Sequence, residues 1–403
     1  MSFLKTIKNL TSPQRSAVIA SFLGWTLDAF DFFIVVFVLN SIAGDFHSTI
    51  KDVSYAITLT LAMRPLGAFI FGWLADRYGR HPVLMADILL FSLFELGSAC
   101  APNLTIFLIL RAGFGIAMGG EWGVGSSLVM ETIPAKARGI ISGFLQQGYA
   151  VGYLCAAIVF WLAYPLVGWR GMFVIGVIPA LLVLYIRSQV AESPVWVKQQ
   201  HRARNMLRSI ADNWKLFIYV IILMACFNAF SHGTQDLYPT FLQQQHNLDH
   251  TQISLLTIIA NLGAIAGGIT FGILSERIGR RRAIVLAAAC SLAIIYVWAY
   301  STTIAMLACG AFFMQFTVQG AWGVIPAHLN ELSPSSIRGT FPGFTYQLGN
   351  FLISMLAPYQ VELAASHGGD YSFALATSAI IVALITIIVV GLGHERKGVS
   401  FNN

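Results

Sequence analysis

Apolar residues run in long stretches along nearly the whole chain, broken by short polar turns. A bilayer-spanning helix needs about 20 mostly apolar residues. Twelve stretches reach that length: 18–40, 53–74, 83–101, 104–128, 139–163, 168–187, 215–241, 252–275, 283–300, 304–328, 340–362 and 371–393. The only long connection, 188–214, follows the sixth span. The pattern predicts an all-α membrane protein of twelve helices: a six-helix bundle over 1–187, a linker over 188–214 and a second bundle over 215–403.

Charge fixes the expected orientation. With the N-terminus inside, 20 of the 24 Lys and Arg residues fall in inside segments. The outside loops hold only Lys51 and Arg170, and Arg64 and Arg111 lie within spans. This is the positive-inside distribution, so both termini and the linker are expected in the cytoplasm. Polar residues run to Arg15 and the first apolar stretch is long enough to span, so no cleavable leader is expected.

Composition agrees. Of 403 residues 57% are hydrophobic and 10% are charged, with a mean hydropathy of +0.71. A soluble domain carries roughly 25% charged residues, so a water-soluble enzyme, a secreted domain and a disordered scaffold are excluded. The net charge of +6 is absorbed by the topology signal, and no nucleic-acid partner is expected. Cys100, Cys155, Cys226, Cys290 and Cys309 lie in apolar stretches without regular spacing, which predicts no disulfide framework and no metal site. No cofactor is expected.

The chain repeats itself at a spacing of 200 residues. GWLADRYGR at 72–80 returns as GILSERIGR at 272–280, and GGEWGV at 119–124 as QGAWGV at 319–324. ETIPAKARG at 131–139 returns as ELSPSSIRG at 331–339, and Gly143, Phe144 and Gln147 match Gly343, Phe344 and Gln347. Two parallel copies of a six-helix unit place a substrate site at their interface near the midplane. On these paired motifs the chain resembles the major facilitator superfamily over essentially its whole length. The resemblance implies that the loop charges latch the two halves together on the cytoplasmic side. The gate residues would be Asp76, Arg80, Glu131 and Arg138, with Glu276, Arg280, Glu331 and Arg338.

Ionisable residues inside spans are costly and therefore candidates for function. They are Asp28, Asp31, Arg64, Glu95, Arg111, Glu121, His232, Asp236 and His328. Asp87 falls near a cytoplasmic helix end, where water is expected to reach it. In the seventh span Asn228, His232 and Asp236 recur every four residues and share one helix face. Lipid could not solvate that stripe, so it lines a wet path or packs on polar partners. A histidine beside a carboxylate can take up and release a proton near neutrality. Arg64 suits a substrate carboxylate, because guanidinium offers two parallel donors and keeps its charge. Arg111 is the rival anchor, with Asp31 and Glu121 as expected counter-ions. Gln147 and Gln347, at matched places, could bind a hydroxyl or keto oxygen. Glu95 and His328 are expected to be satisfied packing residues.

Asn228, Ser231, His232, Thr234, Gln235, Asp236 and Thr240 together resemble the signature of the lactate–pyruvate:proton symporters, the carboxylate-permease branch of the sialate:proton symporter family. LDAFDFF at 27–33, TLTLAMRPLGA at 58–68, GIAMGGEWG at 115–123, LQQGYAVGYL at 145–154 and FPGFTYQLGN at 341–350 look like the same branch. The resemblance implies that His232, Asp236, Arg64 and Gln347 serve substrate recognition and proton coupling. By likeness to proton-coupled relatives, an acid of the first span, Asp28 or Asp31, pairs with Arg111. The expected activity is symport of a small organic-acid anion, lactate or pyruvate, with a proton, by a monomer in the inner membrane. Asn228, Gln235, Gln147 and Gln347 would orient the substrate. A larger acid, such as a sialic acid or a muconate-like dicarboxylate, is the nearest alternative, and export of amphipathic compounds a second. A membrane enzyme or sensor lacks support, because no nucleophile, metal or phosphate-loop constellation is present.

Overall fold

The structure, a computed structural model, describes residues 10–133, 138–177, 185–186, 189–192, 211–333 and 341–396. Its regular elements among these residues are helices: α1 (Ser12–Asp45), α2 (Ile50–Tyr78), α3 (Arg80–Ala99), α4 (Leu104–Thr132) and α5 (Arg138–Ile175) precede the linker region. After it come α6 (Trp214–Gln235), α7 (Tyr238–Gln244), α8 (His250–Ile278), α9 (Arg280–Tyr300), α10 (Ile304–Trp322), α11 (Ile325–Leu332), α12 (Phe341–Ile353), α13 (Leu356–Ser366) and α14 (Tyr371–Leu392). Ten stretches of described helix are long and apolar enough to cross a membrane. The expected sixth span is described only as far as 177, and most of 188–214 lies outside the described residues. Large apolar side chains such as Phe69, Trp73, Leu93, Ile109, Tyr296 and Leu392 are exposed on the outer faces, where lipid would meet them.

The spacing of 200 is written into the backbone. Thr49 and Asp249 cap α2 and α8 by the same reciprocal arrangement. The Asp52 amide donates to Thr49 Oγ1 at 3.1 Å, and the Gln252 amide to Asp249 Oδ1 at 2.8 Å. Asn103 and Thr303 cap α4 and α10 one-sidedly, accepting from the Ile106 and Met306 amides. Each cap satisfies an amide that the helix itself cannot. Gly79 and Gly279 enter α3 and α9 at φ 108° and 99°, a region open to glycine and strained for other residues. Packing repeats too: α2 lies against α4 as α8 lies against α10, and α1 against α5 as α6 against α12. The α2–α4 approach is close enough that a β-carbon on Gly67 would overlap the Ile116 carbonyl oxygen. One on Gly267 would overlap that of Phe316.

Three expected spans are broken. The seventh divides between α6 and α7 before Pro239, the tenth between α10 and α11 before Pro326, and the eleventh between α12 and α13 before Pro358. Proline lacks an amide hydrogen and clashes with the preceding turn, so each run stays apolar while its helix stops. The fifth and sixth spans, expected as separate, follow one another in α5 across a turn at Gly168 (φ 62°, ψ −172°). The two sets of helices meet through α5 with α8, and through α2 with α12 and α13.

Candidate functional site

The polar stripe of the seventh span faces inward as expected. Asn228, Ser231, His232, Thr234, Gln235 and Asp236 are all buried. Nδ1 of His232 lies 3.1 Å from both carboxylate oxygens of Asp236, which sits where α6 ends. The broken segment frees backbone carbonyls, and Gln360 Nε2 donates to that of Gly233 at 2.9 Å.

Around the stripe runs an amide network that the sequence reading missed. Ser231 Oγ donates to Gln235 Oε1 at 3.0 Å, and Gln235 Nε2 donates to Gln315 Oε1 at 2.7 Å. Gln315 Nε2 donates to Thr234 Oγ1 at 3.2 Å, and Gln319 Nε2 to Ser231 Oγ at 2.9 Å. The signal was available: Gln315 and Gln319 stand four apart, on one helix face, in an otherwise apolar run.

A cavity between the two sets of helices is lined by Gln146, Tyr149, Asn228, Ser231, His232, Gln319, Trp322 and Tyr346. Its volume is about 10 Å³, room for roughly one water molecule. Asn228 donates to the Tyr346 carbonyl at 3.2 Å, while its own Oδ1 has no partner among the described residues. Of the two expected glutamines, Gln147 packs against Gly268 of α8 and Gln347 accepts from Asn350 at 2.7 Å. Their neighbours Gln146 and Tyr346 line the cavity instead, because one residue is a rotation of about 100° on a helix.

Arg64 is fully buried on α2, and a β-carbon on Gly119 of α4 would overlap its carbonyl oxygen. Its guanidinium carbon stands 5.3 Å from the centre of the Phe32 ring, and the His232 ring meets the same Phe32 edge-on at 5.4 Å. Asp28 is within electrostatic reach of Arg64. Nη2 of Arg64 contacts Met118 Sδ, while Nε and Nη1 make no hydrogen bond among the described residues.

Arg111 is paired differently from the expectation. Its Nη2 donates to Glu95 at 2.5 Å and to Ser98 Oγ at 2.8 Å, and Phe114 lies under it at 4.3 Å. Glu95 and Ser98, three apart on α3, present one face to α4. Glu95 is therefore the bonded counter-ion rather than a packing residue. Asp31 is within electrostatic reach of Arg111, and Glu121 neighbours Asp28 instead. Two further expectations are corrected. Asp87 is fully buried, with neither oxygen partnered among the described residues, so depth along a helix did not give it water. His328 is likewise buried with both ring nitrogens unpartnered there, and so is not satisfied.

Of the expected gate residues, Arg280 donates to both oxygens of Glu331 at 3.2 Å and to Ser275 Oγ at 2.8 Å. The members of that cluster all lie within the C-terminal set of helices. The side chains of Asp76, Glu131, Arg138 and Glu276 lie outside the described positions, as does Arg338 altogether. The sequence reading missed Glu192, which accepts from the Arg80 and His81 amides at 3.0 and 3.1 Å, and Glu395, which accepts from the Arg281 amide at 3.0 Å. Each carboxylate sits on a helix N-terminus, where the dipole favours it.

Contacts between the two sets of helices flank the cavity toward both ends. Toward the end where α1 finishes, Asn40 Nδ2 donates to Gln243 Oε1 at 2.5 Å and Gln244 Nε2 to Asn40 Oδ1 at 2.8 Å, while Lys51 meets Glu362 at 2.9 Å. Toward the other end, Trp122 of α4 packs on Tyr346 of α12 at 5.3 Å.

Residues 16–216 match the family model described as "Sugar (and other) transporter", and 221–401 match "Major Facilitator Superfamily". The chain is 29% identical to the sialic acid transporter NanX of Escherichia coli over 97% of its own length and 96% of that protein. It is 27% identical to a carboxylic acid transporter protein homolog of Saccharomyces cerevisiae, covering 97% of this chain and 70% of the yeast protein. A putative metabolite transport protein of Haemophilus influenzae is 32% identical, with 95% and 96% covered. Among solved structures, a partially occluded inward-open form of the xylose transporter XylE from E. coli superposes with a TM-score of 0.77. It is 19% identical and covers 97% of this chain and 100% of that one.

Proposed function

The chain belongs to the major facilitator superfamily and is a multi-pass membrane transporter, not an enzyme, and we propose that it carries a small monocarboxylate, lactate or pyruvate, with a proton across the inner membrane. One observation carries this reading. A guanidinium with uncommitted donors, Arg64, and an imidazole–carboxylate pair, His232–Asp236, converge on one aromatic ring beside the polar cavity between the two sets of helices. Arg64 supplies the site for an anion, and His232–Asp236, with Asp28, supplies places for a proton.

The cycle follows from alternating access. The halves 1–187 and 215–403, joined by 188–214, open first outward. The His232–Asp236 pair or a first-span acid takes a proton, and the anion docks on Arg64, oriented by Asn228 and by Gln146, which line the cavity in place of the expected Gln147 and Gln347. Closure of the Asn40–Gln243 contacts then precedes inward opening. One proton and one anion together move no net charge, so the membrane potential of about 2.3 kcal/mol per charge per 100 mV neither helps nor opposes them.

A larger organic acid is the second reading. The Gln235–Gln315–Gln319 network favours it, because amides suit hydroxyl-rich substrates, and the names of two relatives include sialic and carboxylic acids. Weakly buffered vesicles bearing the protein decide between them. L-lactate should alkalinise the medium, and N-acetylneuraminate or muconate should not. Alkalinisation by either of those alone would replace the monocarboxylate reading.

A further inference from the structure

The N-terminal set of helices holds more acid than it has cations to match. Asp28, Asp31, Asp87, Glu95 and Glu121 are buried there with Arg64 and Arg111, and of these five acids Glu95 is the one bonded to a guanidinium among the described residues. Both oxygens of Asp28, Asp31, Asp87 and Glu121 lack a hydrogen-bond partner among those residues.

These acids are arranged along the bundle. With a rise of 1.5 Å per residue, Asp87 lies about 10 Å along α3 from its Arg80 end, and Glu121 about 16 Å along α4 from its Thr132 end. Glu95 and Arg111 lie deeper, about 22 and 31 Å from the same ends. Each acid is within electrostatic reach of the next: Glu95 of Asp31, Asp31 of Asp28, Asp28 of Glu121, and Glu121 of Asp87. The charged groups acting on Asp87 are Glu121 of α4 and Asp28 of α1, and Arg64 of α2 acts on Asp28.

The fold does not require this series. At the spacing of 200, the second copy holds Ala287, Ala321 and Asn228 where the first holds Asp87, Glu121 and Asp28. All three replacements are buried in equivalent helices. Alanine satisfies the packing, so the acids answer to something else. A buried, unpartnered carboxyl is costly as an anion and neutral as an acid, and a proton is the ligand that such a group takes.

We infer that Asp87 is the cytoplasmic exit of a proton path running Asp28–Glu121–Asp87 through the N-terminal bundle, deepening the symport reading on which this rests. In the transfer, a water entering between the two carboxyls takes the proton as the Glu121 O–H bond breaks and passes a proton on as an Asp87 O–H bond forms, leaving Glu121 anionic, Asp87 neutral and the water unchanged. Asp87 then gives the proton to water at the Arg80 end of α3 once the cytoplasmic side opens. The path starts at the first-span acid Asp28, beside Arg64, and returns that acid to its deprotonated state.

The test uses purified full-length protein and two readouts. By infrared spectroscopy without substrate, wild type should show protonated-carboxyl absorption that titrates with pH, and Asp87→Asn should lose part of it. In proteoliposomes with a one-unit inward proton gradient, which supports about tenfold accumulation in 1:1 symport, wild type should concentrate labelled L-lactate. Asp87→Asn should not, with a changed pH profile, and Asp87→Glu should recover both readouts. An unchanged infrared titration in Asp87→Asn, or wild-type accumulation by it, would overturn the proposal. If wild type takes up no lactate, the monocarboxylate reading fails, while the infrared comparison still decides whether Asp87 carries a proton.

Discussion

Arg64 and His232, from opposite sets of helices, address a single ring: Phe32 lies 5.3 Å from the guanidinium carbon of one and 5.4 Å from the imidazole centre of the other. Phe32 belongs to α1, four residues after Asp28, which is within electrostatic reach of Arg64. On the proposed reading, a carboxylate displacing Arg64 would be felt through this ring at both the acid of α1 and the His232–Asp236 pair.

Arg64→Lys keeps the charge and loses the parallel fork of donors. A hydrogen bond to a charged group contributes about 1.5–3 kcal/mol, so apparent substrate affinity should fall by about 10- to 150-fold. The KM for uptake checks this. An unchanged KM would move the anion site away from Arg64.

Asp236→Asn leaves a hydrogen-bonding side chain beside His232 but removes its charge. Substrate should no longer be concentrated by a proton gradient, so the inside-to-outside ratio should settle near unity, against about tenfold per pH unit for wild type. Full uphill transport by this variant would end the assignment of coupling to the pair.

The Arg111–Glu95 bridge makes a stability prediction. Both side chains are fully buried, and removing one partner leaves an uncompensated charge costing about 3–5 kcal/mol. Glu95→Ala should lower the thermal unfolding midpoint sharply, whereas Glu95→Met with Arg111→Met should recover most of it. Additive losses in the double variant, read by a double-mutant cycle, would show that the two residues act separately.

The external closure can be trapped. Asn40→Cys with Gln243→Cys, in a background where the native cysteines are removed, should cross-link with a short bifunctional thiol reagent and stop uptake. A cleavable reagent should allow recovery on reduction. Unimpeded uptake by fully cross-linked protein would mean that the Asn40 contacts need not open.

The helices and their repetition were legible because length and apolarity are local properties and paired motifs such as GWLADRYGR at 72–80 and GILSERIGR at 272–280 recur at one spacing. Breaks before Pro239, Pro326 and Pro358 were hidden, since the apolar runs continue through them. The stripe from Asn228 to Asp236 was legible from its period alone. Its partners Gln315 and Gln319 depended on how two distant helices face each other. Glu95 and Arg111 were both visible, but their pairing needed the register of α3 against α4. Asp87 was misjudged for a related reason: distance along a helix predicts depth in the membrane, while exposure depends on what packs around it.

The central claim, that this transporter moves a small monocarboxylate with a proton, is tested most directly by purified protein in proteoliposomes given labelled L-lactate and an inward proton gradient. The account predicts accumulation of about tenfold per pH unit, collapse on adding a protonophore, and inhibition by excess pyruvate. Uptake that only equalises the two sides while the gradient persists, or no uptake by folded protein, would contradict it.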